Sequence, residues 1–141
     1  MSFGLGYKAG GSGGSGGLIP LIQWGAATAT LGTSYLYAGV DATGNSQAAP
    51  DFSRFLVKRA GVLSSVVFQH NRISGSPLSS LIHTLLLNGV PTIFTQTIPS
   101  NDLTIYTVSG SVNLVVDDVL TFETVCPVNS HLCYPLITAW M

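Results

Sequence analysis

Ser79-Ser80-Leu81-Ile82-His83-Thr84-Leu85-Leu86-Leu87-Asn88-Gly89-Val90-Pro91-Thr92-Ile93-Phe94-Thr95-Gln96-Thr97-Ile98 decides how the rest of this chain is read. Two runs rich in Leu, Ile, Thr and Phe flank Asn88-Gly89, a pair that tolerates positive φ and closes antiparallel hairpins. The same grammar repeats on both sides at spacings near ten residues: stretches of Val, Ile, Leu, Thr, Phe and Tyr, then Gly, Pro, Asn or Ser. The expected strands are 18–24, 34–40, 53–59, 62–70, 79–88, 92–98, 103–108, 111–116, 119–126 and 134–140. Ser109-Gly110-Ser111 and Asp117-Asp118 read as two further turns. No stretch keeps apolar residues at helical spacing for ten residues, and no capping box leads into one. The expectation is an all-β fold, an antiparallel two-sheet sandwich of 8–10 short strands.

Outward from that body the chain divides in two. With 141 residues it has room for one compact domain. Residues 20–141 carry the strand grammar, while residues 1–19 form a glycine-rich arm holding eight of the sixteen glycines. Glycine and serine bury no apolar area and lose the most backbone entropy on ordering. Phe3, Leu5 and Tyr7 nevertheless alternate at a period of two ahead of Gly10, Gly13 and Gly16, so the segment reads as an assembly arm. A cloning linker is the competing origin, since Gly-Gly-Ser repeats are common there.

Charge excludes several classes of partner. Only 8% of the residues are charged, and five basic against six acidic side chains leave a net charge of −1. That is too few cations to track phosphates, so nucleic acid is not an expected partner. The mean hydropathy is positive, yet no apolar run is long enough to span a bilayer. Met1 to Gly6 lacks a basic segment leading into an apolar one, so export by the general pathway is not expected. Several strands look apolar on both faces: Leu81, His83, Leu85 and Leu87 against Ile82, Thr84 and Leu86, and likewise Val62, Val66 and Phe68 against Leu63 and Val67. A lone sandwich keeps its outer faces polar, so this pattern points to subunits packing on one another, with a thick core under loops as the competing reading.

Few residues offer chemistry. Cys126, His131 and Cys133 cluster without a Cys-x-x-Cys pair, leaving a metal site one ligand short, a disulfide between Cys126 and Cys133, or two reduced thiols as the open readings. His70, His83 and His131 lie on separate segments: His83 reads as a hydrogen-bonded core or interface residue and His70 as a surface residue. No nucleophile elbow, phosphate loop or dinucleotide fingerprint occurs, so neither enzymatic activity nor a cofactor is expected. Arg54, Lys58 and Arg59 hold three of the five positive charges. As a strand they would place Arg54 and Lys58 on one face, either gripping an acidic partner or blunting a solvated edge.

Three phrases together resemble a known family: Arg59-Ala60-Gly61-Val62-Leu63-Ser64-Ser65-Val66-Val67-Phe68, then Leu85-Leu86-Leu87-Asn88-Gly89-Val90-Pro91-Thr92, then Val115-Val116-Asp117-Asp118-Val119-Leu120-Thr121. They look like successive strand openings of the small jelly rolls found in viral vertex (penton) subunits, fibre heads and trimeric tumour-necrosis-factor-like heads. Asp117-Asp118 stands where the pattern has Gly-Asp. The resemblance covers residues 20–141 and implies a jelly-roll sandwich with no catalytic residues to carry over. It further implies a virion capsid subunit, most simply a five-fold vertex protein that assembles inside the host cell. Its partners would be copies of itself, a pentamer before a trimer, and neighbouring capsid proteins. The alternatives are a trimeric fibre or recognition head binding a glycan or receptor through loops 41–50 and 71–77, and an extracellular fibre subunit.

Overall fold

The structure is a computed structural model that describes residues 19–26, 28–29, 31–39, 46–70, 80–99, 102–127, 131–132 and 135–141. The assembly-arm residues Phe3, Leu5, Tyr7, Gly10, Gly13 and Gly16 lie outside that set, as do Cys133 and loop 71–77. The strands are β1 (Pro20–Gly25), β2 (Thr28–Ala29), β3 (Gly32–Tyr35), β4 (Tyr37–Ala38), β5 (Phe55–Leu56), β6 (Gly61–His70), β7 (Leu81–Leu87), β8 (Val90–Ile98), β9 (Tyr106–Leu114), β10 (Val119–Cys126), β11 (His131–Leu132) and β12 (Pro135–Trp140). One 3-10 turn, Pro50–Ser53, precedes β5.

Two antiparallel sheets face each other. The first runs β4-β1-β12-β6-β9; the second runs β3-β10-β7-β8, with β5 also paired to β10. Apart from the β7–β8 hairpin, the long strands from β6 to β10, and on to β12, alternate between sheets. As a result β12 is inserted between β1 and β6, and β10 between β3 and β7. That winding is the jelly roll. Across the interface Trp24 of the first sheet packs on Phe122 of the second at a ring separation of 5.1 Å, and Phe68 meets Phe122 edge-on at 5.7 Å.

Ser53 locks the two layers. The ladder along β10 changes partner from β3 to β5 at Phe122, whose N–H would otherwise lack an acceptor; it donates instead to Ser53 Oγ at 2.8 Å. From the opposite sheet, Trp24 Nε1–H donates to the Ser53 carbonyl at 2.8 Å.

Three expectations are corrected. Segment 53–59 is mostly not strand, because the chain makes the 3-10 turn and pairs with β10 only at Phe55–Leu56. Ser109-Gly110-Ser111 is no turn: 103–108 and 111–116 merge into β9, and the ladder with β6 shifts register there. Glycine serves that bulge by allowing close approach, since a Cβ on Gly110 would stand 2.3 Å from Ile93 Cδ1. The same shift explains the apparently two-faced β6. Leu63 faces the core before it, and Val66 and Phe68 face the core after it, so side chains of both parities are internal. In β7 the parity holds: Leu81, His83 and Leu85 point inward, while Leu86 is buried on the outer face.

Candidate functional site

The two ends of the sandwich concentrate what the sequence cannot pay for by simple burial. One end is built by the β7–β8 hairpin, the β9–β10 turn and the connection from β5 to β6. Asn88 (φ 52) and Gly89 (φ 83) take the left-handed conformation expected of them, and Asp117 (φ 76) does so in the second turn. The turns are clamped together: Asn88 Nδ2–H donates to Asp118 Oδ1, Val119 N–H donates to Asn88 Oδ1, and Val115 N–H donates to Asp118 Oδ2, each at 2.8 Å. The Val115 amide, then the Asn88 amide, hold the Asp118 carboxyl below its ordinary pKa. Around this rigid clamp, Leu56, Val62, Val90, Val115 and Val116 face water, with Val90 64% and Val115 59% exposed. Aliphatic side chains fixed in water by a hydrogen-bonded scaffold form an apolar surface that no described residue covers.

The charged segment divides around that end. Lys58 and Arg59 are exposed in the connection just beyond Val57, whose backbone pairs with Asp117 and Asp118. Arg54 points elsewhere, into a groove on the second sheet. The expected shared face of Arg54 and Lys58 is therefore absent, because the strand that would create it is too short.

The other end lies about 30 Å away along the ten-residue β6. There His70 closes β6 in the first sheet, and His83 and Thr124 lie on β7 and β10 in the second. His70 Nε2 stands 2.8 Å from His83 Nε2, and His83 Nδ1 stands 2.8 Å from Thr124 Oγ1. All three residues are buried. An Nε2–Nε2 contact of this length needs one proton between the rings, so each tautomer of the pair fixes the other and the polar chain ties the two sheets together. Burial first, and the neighbouring His70 second, push the His83 pKa well below the usual imidazole value. Asp102 approaches His70 from the segment before β9. Thr104, then the Tyr106 hydroxyl that donates to it, hold its carboxyl below the ordinary range.

His83 is thus the hydrogen-bonded core residue its strand position suggests. His70 is not a surface residue but 2% exposed. The signal for this was parity, because His70 follows Val66 and Phe68 on the inward face of β6. What pairs it with His83, thirteen residues on, is sheet crossing, which no local pattern encodes. Cys126 is buried at the last residue of β10; Cys133, with which the disulfide and metal readings would join it, lies outside the described residues. Among the described residues no group of three or more His, Cys, Asp and Glu is placed to hold a metal. No family model and no curated protein matches this chain.

Proposed function

We propose that this protein is a structural subunit of a virion shell, a capsid vertex (penton) protein that assembles by packing jelly rolls side by side and passing its N-terminal arm to a neighbour. The observation carrying this reading is the rigid apolar end: five aliphatic side chains, Leu56, Val62, Val90, Val115 and Val116, held in water by the Asn88–Asp118 clamp. Among the described residues nothing buries them, and a second copy of the chain is the one partner always at hand. A closed ring satisfies every copy equally, and the glycine-rich arm suits passage between closely packed sheets, where Cβ atoms would obstruct it. The expected partners are copies of itself and neighbouring capsid proteins.

Native mass spectrometry of the full-length chain tests this directly. A pentamer is the expected result. A trimer would transfer the assignment to a fibre or recognition head, open filaments would transfer it to a fibre subunit, and a monomer at all concentrations would overturn self-assembly. Removal of residues 1–17 is expected to leave the sandwich folded and to impair incorporation into particles; undiminished incorporation would remove the arm from the mechanism.

A further inference from the structure

The histidine couple does more than tie two sheets, because its geometry limits the protons it can hold. His70 Nε2 and His83 Nε2 stand 2.8 Å apart with their ring planes at 89°. A contact of that length holds one proton between the two nitrogens. One proton added to the couple leaves it intact: an imidazolium still donates its Nε2–H to a neutral neighbour, and the bond becomes charge-assisted. A second added proton sets two N–H groups, each on a positive ring, against one another across the same 2.8 Å. Neither has an acceptor there, and the rings must part.

We propose that this couple is an acid-opened latch: with none or one added proton it holds the first sheet to the second, and the second proton releases that end of the sandwich while the clamped end stays closed. His70 ends β6 in the first sheet, whereas His83 and Thr124 belong to the second, so parting the rings separates sheets rather than neighbours within one ladder. The groups packed around the couple fit this. Phe68 lies beside His83 with ring centroids 6.5 Å apart and offers no lone pair to a displaced N–H. Opposite His83, β8 places the neutral Gln96, and opposite His70, β12 places Pro135. On β10, Thr124 bonds His83 Nδ1, Cys126 is buried two residues further on, and Glu123 lies on the outer face of the sheet. From the segment before β9, the Asp102 carboxylate, which accepts from the Tyr106 hydroxyl, attracts a positive charge on His70. That charge in turn opposes one on His83. Among the described residues no second carboxylate faces the couple, so the second positive charge has no counterpart.

The latch rests on the fold alone, and it stands or fails apart from the shell reading. Its test is amide hydrogen exchange of the full-length chain between about pH 7.5 and about pH 4.5, corrected for the intrinsic exchange rate, with the histidine ring signals followed by NMR over the same range. Protection in segments 66–70, 81–84 and 122–125 is expected to fall about tenfold per pH unit once the second ring begins to charge, while segments 86–90 and 117–120 keep theirs. His70→Gln and His83→Gln each leave one titrating ring beside an amide oxygen that accepts its N–H, so each is expected to abolish that loss. Equal loss at both ends, no loss down to about pH 4.5, or an acid loss that survives in either variant would overturn the latch. The first two outcomes need only the unsubstituted chain.

Discussion

At one end of this sandwich Val115 and Val116 stand in water above a clamp of amide and carboxylate hydrogen bonds, while at the other His70, His83 and Thr124 hydrogen-bond to one another inside the core. Each end inverts the usual placement of its residue types, and the costs differ in kind. Exposed valines cost the monomer little, because an unfolded chain exposes them too; they become favourable only when a partner removes them from water. Buried imidazoles are costly unless every contact holds, and their contribution is confined to the fold of one chain. The contrast separates an apolar end that gains stability only through the proposed association from a histidine end that holds two sheets in one arrangement.

Substitution separates the two ends most sharply. His83→Ala opens a cavity and strands the Thr124 hydroxyl, so thermal or urea unfolding should register a loss of about 3 kcal/mol. Val116→Asp should change unfolding by less than about 0.5 kcal/mol yet shift native mass toward monomer. If the valine variant unfolds more easily than the histidine variant, the contrast between ends is wrong.

Acid provides the next largest effect. The folded protein depresses the His83 pKa below the value of an unfolded histidine, so the unfolded chain binds the proton more readily. Stability from His83 is therefore full above the unfolded pKa of about 6.5 and declines as pH falls below it, toward the depressed folded value. Urea midpoints should fall on going from about pH 7.5 to about pH 5, and the double variant His70→Leu/His83→Leu should flatten that dependence. An unchanged slope in the double variant would overturn the assignment, because Asp102 and Asp118, with carboxyls held below the ordinary range, lose their stabilising effect only in the more acidic carboxylate range.

Smaller effects probe how the aliphatic rim is held. Asn88→Ala removes two of the three clamp bonds and places a residue less tolerant of positive φ at φ 52, a change of about 1–2 kcal/mol in urea unfolding. It should also weaken self-association, because the rim loses its rigid base. Lys58→Ala with Arg59→Ala should leave unfolding within about 0.5 kcal/mol. A drop in association that disappears at high salt would show those cations gripping a neighbour's carboxylates, and no drop would leave them as solvated edge residues.

Much of the architecture was legible from side-chain chemistry acting over a few residues. The Asn88-Gly89 and Asp117-Asp118 turns, and strands β6, β7, β8, β10 and β12, follow from β-branched and aromatic runs bounded by residues that accept positive φ. Gly110 misled because glycine marks a bulge as readily as a turn, and only the opposing strand distinguishes them. The groove was illegible for a similar reason: Tyr35, Arg54, Leu86 and Glu123 lie on four separate segments.

The amino-acid sequence by itself determined that this chain folds as strands, where most of them turn, and that few charges are available to it, since propensity and composition act locally. Tertiary structure alone decided that β12 lies between β1 and β6, that Ser53 bridges Trp24 and Phe122, and that His70 meets His83. Those pairings join residues far apart in the chain, and their energy exists only once two sheets have closed on a common core.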